Sequence, residues 1–508
     1  MKSLKINYSV FLPPFVLLVL CVIHNFADGA GFASSMTSAY YWILNNFGWL
    51  FLFSVVVILF VCIYICFAPF GSTVIGGKDA KPMMKWGTWF SITLCTTVAA
   101  GIVFWAAAEP VQHLLHPPAS SGIEPMSAQA ALFSMSQVYI HWTFLPYGIY
   151  TICTVMFAFG YYNMKKTCSL GAAVSPIVPD KHVNKANTVI DIVCVFSLVA
   201  GLAASLGVAV LNINGGLNRI FGISSNPTVW AIIIGVTVGV FLISAVSGVM
   251  KGIKLLSDIN VYIYYGILVL VLLFGGTVFI FSFGAESLGD FFSGFFSKAL
   301  FTGAATKDTW AQDWPMFYFG NWMAWAPISA VFLGRISYGR KVKQIVIMNL
   351  VITSVFSIAW FMVISGATIN LAMNKPSSGI IESFSAGYEY VIYQLFENLP
   401  LTSILVPVFL VCVFISFVTA SDSTTVAISS VCTAGINPED PDAPKSMKIL
   451  WGLIIAVVTW IMMSVGEGIT GVKMLSNIGG LPTMFYILFV TYSALKVARH
   501  PEKYDMLS

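Results

Sequence analysis

The 508-residue chain is 58% hydrophobic and only 9% charged, with a formal net charge of +4 and a mean hydropathy of +0.87. So few charges over so much apolar surface exclude a water-soluble globular protein and place most of the chain in lipid or in a membrane-embedded core. The small positive excess follows from topology and gives no reason to expect a nucleic-acid partner.

A membrane-spanning helix needs about 20 mostly apolar residues, and twelve segments qualify, centred near residues 18, 58, 98, 148, 198, 238, 270, 324, 357, 416, 456 and 485. The fold class expected is therefore an all-α integral membrane protein with twelve transmembrane helices. Lys and Arg collect on the cytoplasmic side of such proteins. With the amino terminus inside and the spans alternating, twenty of the 25 basic residues fall inside and only Arg219, Lys298, Lys307, Lys375 and Lys473 outside. That asymmetry puts both termini in the cytoplasm and the multi-pass chain in the plasma (inner) membrane.

Residues 1–85 carry the first two spans. Pro13-Pro14 interrupts the first apolar run and no small-x-small cleavage site follows it, so it reads as a span rather than a secretory signal. The third span holds the small-residue stretch Thr96-Thr-Val-Ala99-Ala100-Gly101. That stretch suits either close helix packing or a locally unwound segment whose carbonyls coordinate an ion. Glu109 follows Phe104-Trp105 at the outer end of the same span, and an ionisable residue there is a functional candidate by default. In the fourth span, His141-Trp142-Thr-Phe-Leu-Pro146-Tyr147-Gly-Ile-Tyr150 puts Tyr147 and Tyr150 on one helix face with Trp142 not far off it. Asp191 and Asp258 are the acidic residues of the following spans. Between residues 281 and 313, the Phe-rich pattern from Asp290 to Phe301 reads as an amphipathic helix along the outer interface.

The densest signal is Trp314-Pro-Met-Phe-Tyr-Phe-Gly-Asn-Trp322-Met-Ala-Trp325-Ala-Pro327, closed by the basic turn Gly334-Arg335-Ile-Ser-Tyr-Gly339-Arg340. Membrane aromatics usually form packing or an interfacial belt. An aromatic face also offers a cation negative quadrupole charge without an ion pair, about 2 kcal/mol or more when the cation is desolvated. Phe319, Trp322 and Trp325 are placed to face a fourth-span wall of Trp142, Tyr147 and Tyr150, and two such walls suit a trimethylammonium head. In the tenth span, Ser416-Phe-Val-Thr419-Ala-Ser-Asp422-Ser-Thr-Thr425 concentrates the oxygen ligands that a hard cation such as sodium requires. The tail, residues 499–508, is short, which leaves no room for a soluble catalytic or regulatory domain.

Enzymatic chemistry has little footing. There is no Ser-His-Asp spacing, no H-E-x-x-H and no Gly-rich phosphate loop, and the six histidines do not cluster at ligand spacing. The nine cysteines form no C-x-x-C pair, so buried thiols are expected rather than a disulfide or zinc site. No cofactor is implied, and no metal beyond sodium. A channel or membrane receptor is the alternative of another class, but no repeated filter segment is present.

Trp314-x-x-Phe317-Tyr318-Phe-x-x-Trp322-x-x-Trp325-x-Pro327 with Arg335-Ile-Ser-x-Gly-Arg340 resembles the signature of the betaine/carnitine/choline transporter family. Phe104-Trp105 with Glu109-Pro110, His141-Trp142, Lys251-Gly-Ile-Lys-x-Leu-Ser257-Asp258 and Ala420-Ser-Asp422-Ser423 extend the likeness over nearly the whole chain. The resemblance implies a secondary active transporter importing a small methylated amine by alternating access, assembled as a homotrimer. Spans 3–12 would form two inverted five-helix repeats of LeuT-like type, at residues 86–280 and 314–498, joined by residues 281–313. It also implies an aromatic box of Trp142, Tyr147, Tyr150, Trp322 and Trp325. Sodium positions fall on backbone around Ala99, Ala100 and Gly101 and on Ser416, Thr419 and Ala420, while Glu109, Arg335 and Arg340 take gating or structural roles.

The departures bear on substrate and ion. Phe319 and Asn321 stand where the signature has tryptophans, and Tyr147 replaces another. The Asn321 amide suits a substrate carboxylate or N-oxide oxygen, as in glycine betaine or trimethylamine N-oxide, better than choline. Ala420 takes the place of a hydroxyl, and Asn260 stands where sodium-independent carnitine exchangers carry an arginine. Sodium symport, proton coupling and sodium-independent exchange of the carnitine/betaine type all stay open on these residues.

Overall fold

Apolar runs without internal charge become helices because only a helix satisfies every backbone polar group within its own segment. The computed structural model describes residues 5–247, 250–435 and 443–507. Among the described residues nine helical stretches are long and apolar enough to cross a membrane, and a bent pair makes a tenth. The chain is an all-helical, multi-pass membrane protein.

The helices run α1 (Tyr8–Ala27), α2 (Gly29–Phe67), α3 (Trp86–Leu115), α4 (Ala128–Trp142), α5 (Phe144–Ala158), α6 (Val183–Phe221), α7 (Pro227–Ser247) and α8 (Met250–Phe274). There follow α9 (Thr277–Ser293), α10 (Phe295–Ala299), α11 (Phe317–Ile336), α12 (Val342–Val346), α13 (Thr353–Asn374), α14 (Ile380–Ala386), α15 (Tyr388–Glu397), α16 (Thr402–Val431), α17 (Lys445–Val465) and α18 (Ile469–Ala498). Each of the twelve expected centres lies on one of these helices.

Loop contacts sort by the expected side of the membrane. Strand β1 (Lys5–Ile6) pairs antiparallel with β2 (Thr433–Ala434). Val74 bridges Lys341, Asn163 bonds Val74 and Asp505, and the Met506 amide donates to the Asn163 carbonyl. All of these segments belong to one side in the alternating scheme. The other side is tied by Ser120 to Asp308 and by Arg219 to Glu397.

The tract expected to form an amphipathic helix overlaps α9. That helix begins at Thr277, just after Gly275-Gly276, where the chain turns by 101° from α8 and Gly276 takes a left-handed φ of 99°. Ile280, Phe283, Gly284, Ser287 and Phe291 form its buried face. The Phe-rich tract read from Asp290 straddles the end of α9, and Gly294 separates the short α10 from it. Glycine also sets the approach of the helices that carry the site. A Cβ on Gly480 of α18 would stand 2.3 Å from the Gly320 carbonyl oxygen of α11, so these two backbones touch one residue before Asn321.

Candidate functional site

The fourth span is two helices. Pro146 lacks the N–H that would bond the Trp142 carbonyl four residues back, and its ring crowds that carbonyl. The chain accordingly breaks at Thr143 (φ −124°, ψ −121°) and restarts with the Tyr147 amide donating to the Thr143 carbonyl at 3.2 Å. Trp142 is therefore the last residue of α4, with Tyr147 and Tyr150 on α5.

Trp322 of α11 receives all three rings. Its centroid lies 5.5 Å from Trp142, 5.5 Å from Tyr147 and 5.0 Å from Tyr150, each edge-on at 61–76°. The Trp322 Nε1–H donates to the His141 carbonyl at 3.1 Å, and Tyr147 shares a hydrogen bond with Ser357 of α13 at 2.8 Å. Phe361 packs on Trp142 with the ring centroids 5.5 Å apart. The small-residue stretch of α3 takes part through Gly101, where a Cβ would meet the Trp142 ring at 3.2 Å.

Of the wall expected on α11, only Trp322 enters this group. Phe319 packs near the His141 ring, and the edge of Trp325 lies beside α6, where a Cβ on Gly201 would come within 3.3 Å of it. Residues three apart on a helix are rotated by about 60°, so Phe319 and Trp325 diverge on either side of Trp322. The Asn321 Oδ1 accepts from the Ser476 hydroxyl of α18 at 3.0 Å, while its Nδ2 has no hydrogen-bond partner among the described residues.

Beneath the box lies a carboxylate hub. Glu109 is fully buried. Its Oε2 accepts from Trp142 Nε1 at 2.7 Å and from the Tyr318 hydroxyl at 2.6 Å. Its Oε1 accepts from His141 Nδ1 at 2.6 Å and, more weakly, from His113 Nε2 at 3.4 Å. A carboxylate only accepts, so each imidazole turns an N–H toward it. The expectation that the histidines do not cluster is thus overturned. His113 is one helical turn from Glu109, a legible signal, but His141 arrives from another helix and had none.

Glu109, His113 and His141 also present ligand atoms within 4.8 Å of one another. Metal-bound imidazoles almost always give their second N–H to an acceptor. Here His113 Nδ1 and His141 Nε2 have no hydrogen-bond partner among the described residues. The trio fits a hydrogen-bond hub rather than a metal centre.

Lys473 of α18 was not singled out from sequence. It is 8% exposed, its Nζ donates to the Asp313 carbonyl at 3.0 Å, and it sits over the Trp314 ring at 4.1 Å and the Phe317 ring at 5.2 Å. The basic turn is internal as well. The Arg340 guanidinium lies over Trp86 at 5.0 Å and Trp89 at 4.6 Å and bonds the Met84 carbonyl, and the Arg335 carbonyl accepts from Tyr162.

In the expected ion region, α3 runs as unbroken helix through Ala99 and Ala100, whose side chains lie outside the described residues, as does that of Asp258. The Ser416 hydroxyl is committed: it donates to the Cys412 carbonyl at 2.9 Å and accepts from Asn260 Nδ2 at 2.5 Å. Thr419 bonds the carbonyls of Ile415 and Ser416. Further along the helix, the Ser421, Thr425 and Ser429 hydroxyls and Asp422 Oδ1 are buried without a hydrogen-bond partner among the described residues. Their spacing gives them a common helix face.

The family profile described as BCCT, betaine/carnitine/choline family transporter, matches residues 9–503. The ectoine/hydroxyectoine transporter of Virgibacillus pantothenticus is 30% identical over 99% of this chain and 98% of that protein. The probable glycine betaine transporter of Desulfitobacterium hafniense (strain Y51) is 29% identical over 90% and 91%, and the glycine betaine transporter OpuD of Bacillus subtilis (strain 168) 28% over 90% and 87%. Among solved structures, a Na+-coupled sialic acid symporter matches 88% of this chain and 87% of that one at 14% identity, with a TM-score of 0.45. That likeness is too loose to transfer a site.

Proposed function

Because the chain belongs to the betaine/carnitine/choline transporter family, we propose that it imports a small methylated amine, of the glycine betaine or trimethylamine N-oxide type, by alternating access around the aromatic box. In this reading the protomer has twelve spans, the last ten as two inverted five-helix repeats, assembles as a homotrimer, and keeps both termini in the cytoplasm. The observation that carries the proposal is the convergence of Trp142, Tyr147 and Tyr150 on Trp322. The Glu109 carboxylate is spent on four donors, so a substrate cation in the box meets ring faces rather than an anion. Asn321 Nδ2, on the residue next to Trp322, is the donor for a substrate oxygen.

The coupling ion in this reading is sodium, held on α16 by the oxygens that lack partners, with Asp422 supplying the charge. One observation favours a second reading, sodium-independent exchange: the Asn260 amide is bonded to the Ser416 hydroxyl, filling with a side chain the place expected for the ion. The deciding experiment is uptake of radiolabelled glycine betaine, trimethylamine N-oxide, choline and carnitine into proteoliposomes, with and without an inward sodium gradient. Sodium-driven uptake that Asp422→Asn abolishes supports the first reading. Uptake indifferent to sodium but accelerated by internal substrate supports exchange, and no uptake of any of the four removes the methylamine assignment.

A further inference from the structure

Building on the box as the substrate site, we propose that Glu109 is its positioning residue: one carboxylate orients both box indoles and makes assembly of the box conditional on α11 meeting α3 and α4. An indole has a single N–H, so fixing that donor fixes the direction of the ring face. For Trp142 the acceptor is Glu109 Oε2 itself, at 2.7 Å. For Trp322 the acceptor is the His141 carbonyl, and the His141 ring is in turn held on Glu109 Oε1 at 2.6 Å. Both indoles therefore take their orientation from the same buried group, one directly and one through a single residue.

Tyr318 supplies the conditional part. It lies one helical turn before Trp322 on α11, its hydroxyl donates to Glu109 Oε2, and its ring stacks on His141 at 4.6 Å with the planes 23° apart. Rotating or lifting α11 away from α3 and α4 breaks this bond and carries Trp322 off Trp142, Tyr147 and Tyr150. Any transport cycle that moves α11 relative to α3 thus dismantles the box and the hub together. Closure restores both, and the substrate is gripped only when the three helices meet.

Other charged and titratable groups bear on Glu109 without replacing it. His113 contributes the long contact at 3.4 Å, and its ring packs on Trp314, over which the Lys473 ammonium sits. Tyr388 of α15 is bonded to Gln112. Among the described residues none of these groups is hydrogen-bonded to a box indole.

The test is a double-mutant cycle on substrate binding to the purified full-length protein, with radiolabelled glycine betaine as the probe and melting temperature recorded alongside. In Glu109→Gln the amide oxygen can still serve His141, but its NH2 then faces the Trp142 N–H, which cannot accept. The expected loss is about tenfold in affinity in the otherwise native protein. In a Trp142→Ala background the same change is expected to cost less than about twofold, because the amide oxygen still holds His141 and with it Trp322, so that what Glu109→Gln disturbs is the ring already removed. Tyr318→Phe, which deletes one hydroxyl, is the milder variant should Glu109→Gln fail to fold, and should weaken binding about threefold. Additive losses in the cycle, or native affinity in both Glu109→Gln and Tyr318→Phe, would overturn the proposal. Native affinity in Trp322→Ala would instead remove the box itself, so the two failures are distinguishable.

Discussion

Replacing Trp322 tests whether the box recognises charge or merely shape. The ring stands at the centre of three edge-on contacts at 5.0–5.5 Å. A desolvated cation on its face gains about 2 kcal/mol, which corresponds to about 30-fold in affinity. Truncating a buried tryptophan also costs about 3–5 kcal/mol of stability, so loss of transport alone would be uninformative. Binding to detergent-purified protein, with melting monitored in parallel, separates the two effects. The comparison uses glycine betaine and its carbon isostere 3,3-dimethylbutanoate, which has the same outline without the cationic nitrogen. Trp322→Ala should weaken glycine betaine by about 30-fold and leave the weak binding of the isostere little changed. Trp322→Phe keeps a ring but leaves the His141 carbonyl unpaired, and should fall between. Equal losses for both ligands would mean that the rings select shape, and the cation argument would be wrong.

Three further outcomes are expected. Gly101→Ala places a Cβ 3.2 Å from the Trp142 ring, so affinity should fall several-fold, while the better helix former, worth up to about 1 kcal/mol, holds the melting temperature level or raises it; unchanged affinity would show that Trp142 yields without cost. Asn321→Ala should weaken glycine betaine and trimethylamine N-oxide far more than choline in competition uptake, whereas an equal loss for all three would reduce Asn321 to its bond with Ser476. Arg340→Lys keeps the charge over Trp86 and Trp89 but loses the planar stacking. It should lower the melting temperature by a few degrees, about 1–2 kcal/mol, and an unchanged melting curve would assign the hold on that turn to other contacts.

The architecture was legible because lipid leaves the backbone so few options. Runs of apolar residues had to be helices, and the Lys and Arg asymmetry sorted their connections into sides that the loop contacts respect, down to the pairing of Lys5–Ile6 with Thr433–Ala434. Local breaks were less legible. Pro146 sits in plain view, yet the fourth span reads as one helix until the carbonyl it abandons at Trp142 is considered. The start of α9 was hard to read for a related reason. Its pattern was read from the Phe-rich end, while the buried face is set by Ile280, Phe283 and Ser287 nearer its start.

The proposed site divides the same way. Trp142, Tyr147, Tyr150 and Trp322 could be named from sequence because aromatic residues announce themselves in a membrane span. Their partners could not, because the bonds that orient them run between helices: His141 on α4 and Tyr318 on α11 lie 32 and 209 positions from Glu109 on α3. Sequence spacing reports neighbours on one helix and is blind to which faces meet. A fully buried carboxylate, however, is too costly to leave without donors. Glu109 in an apolar span therefore already required a set of N–H and O–H groups converging from elsewhere, without saying that Trp142, Tyr318 and His141 would supply them. The burial cost of one acidic residue, more than any spacing, was the readable trace of the hub.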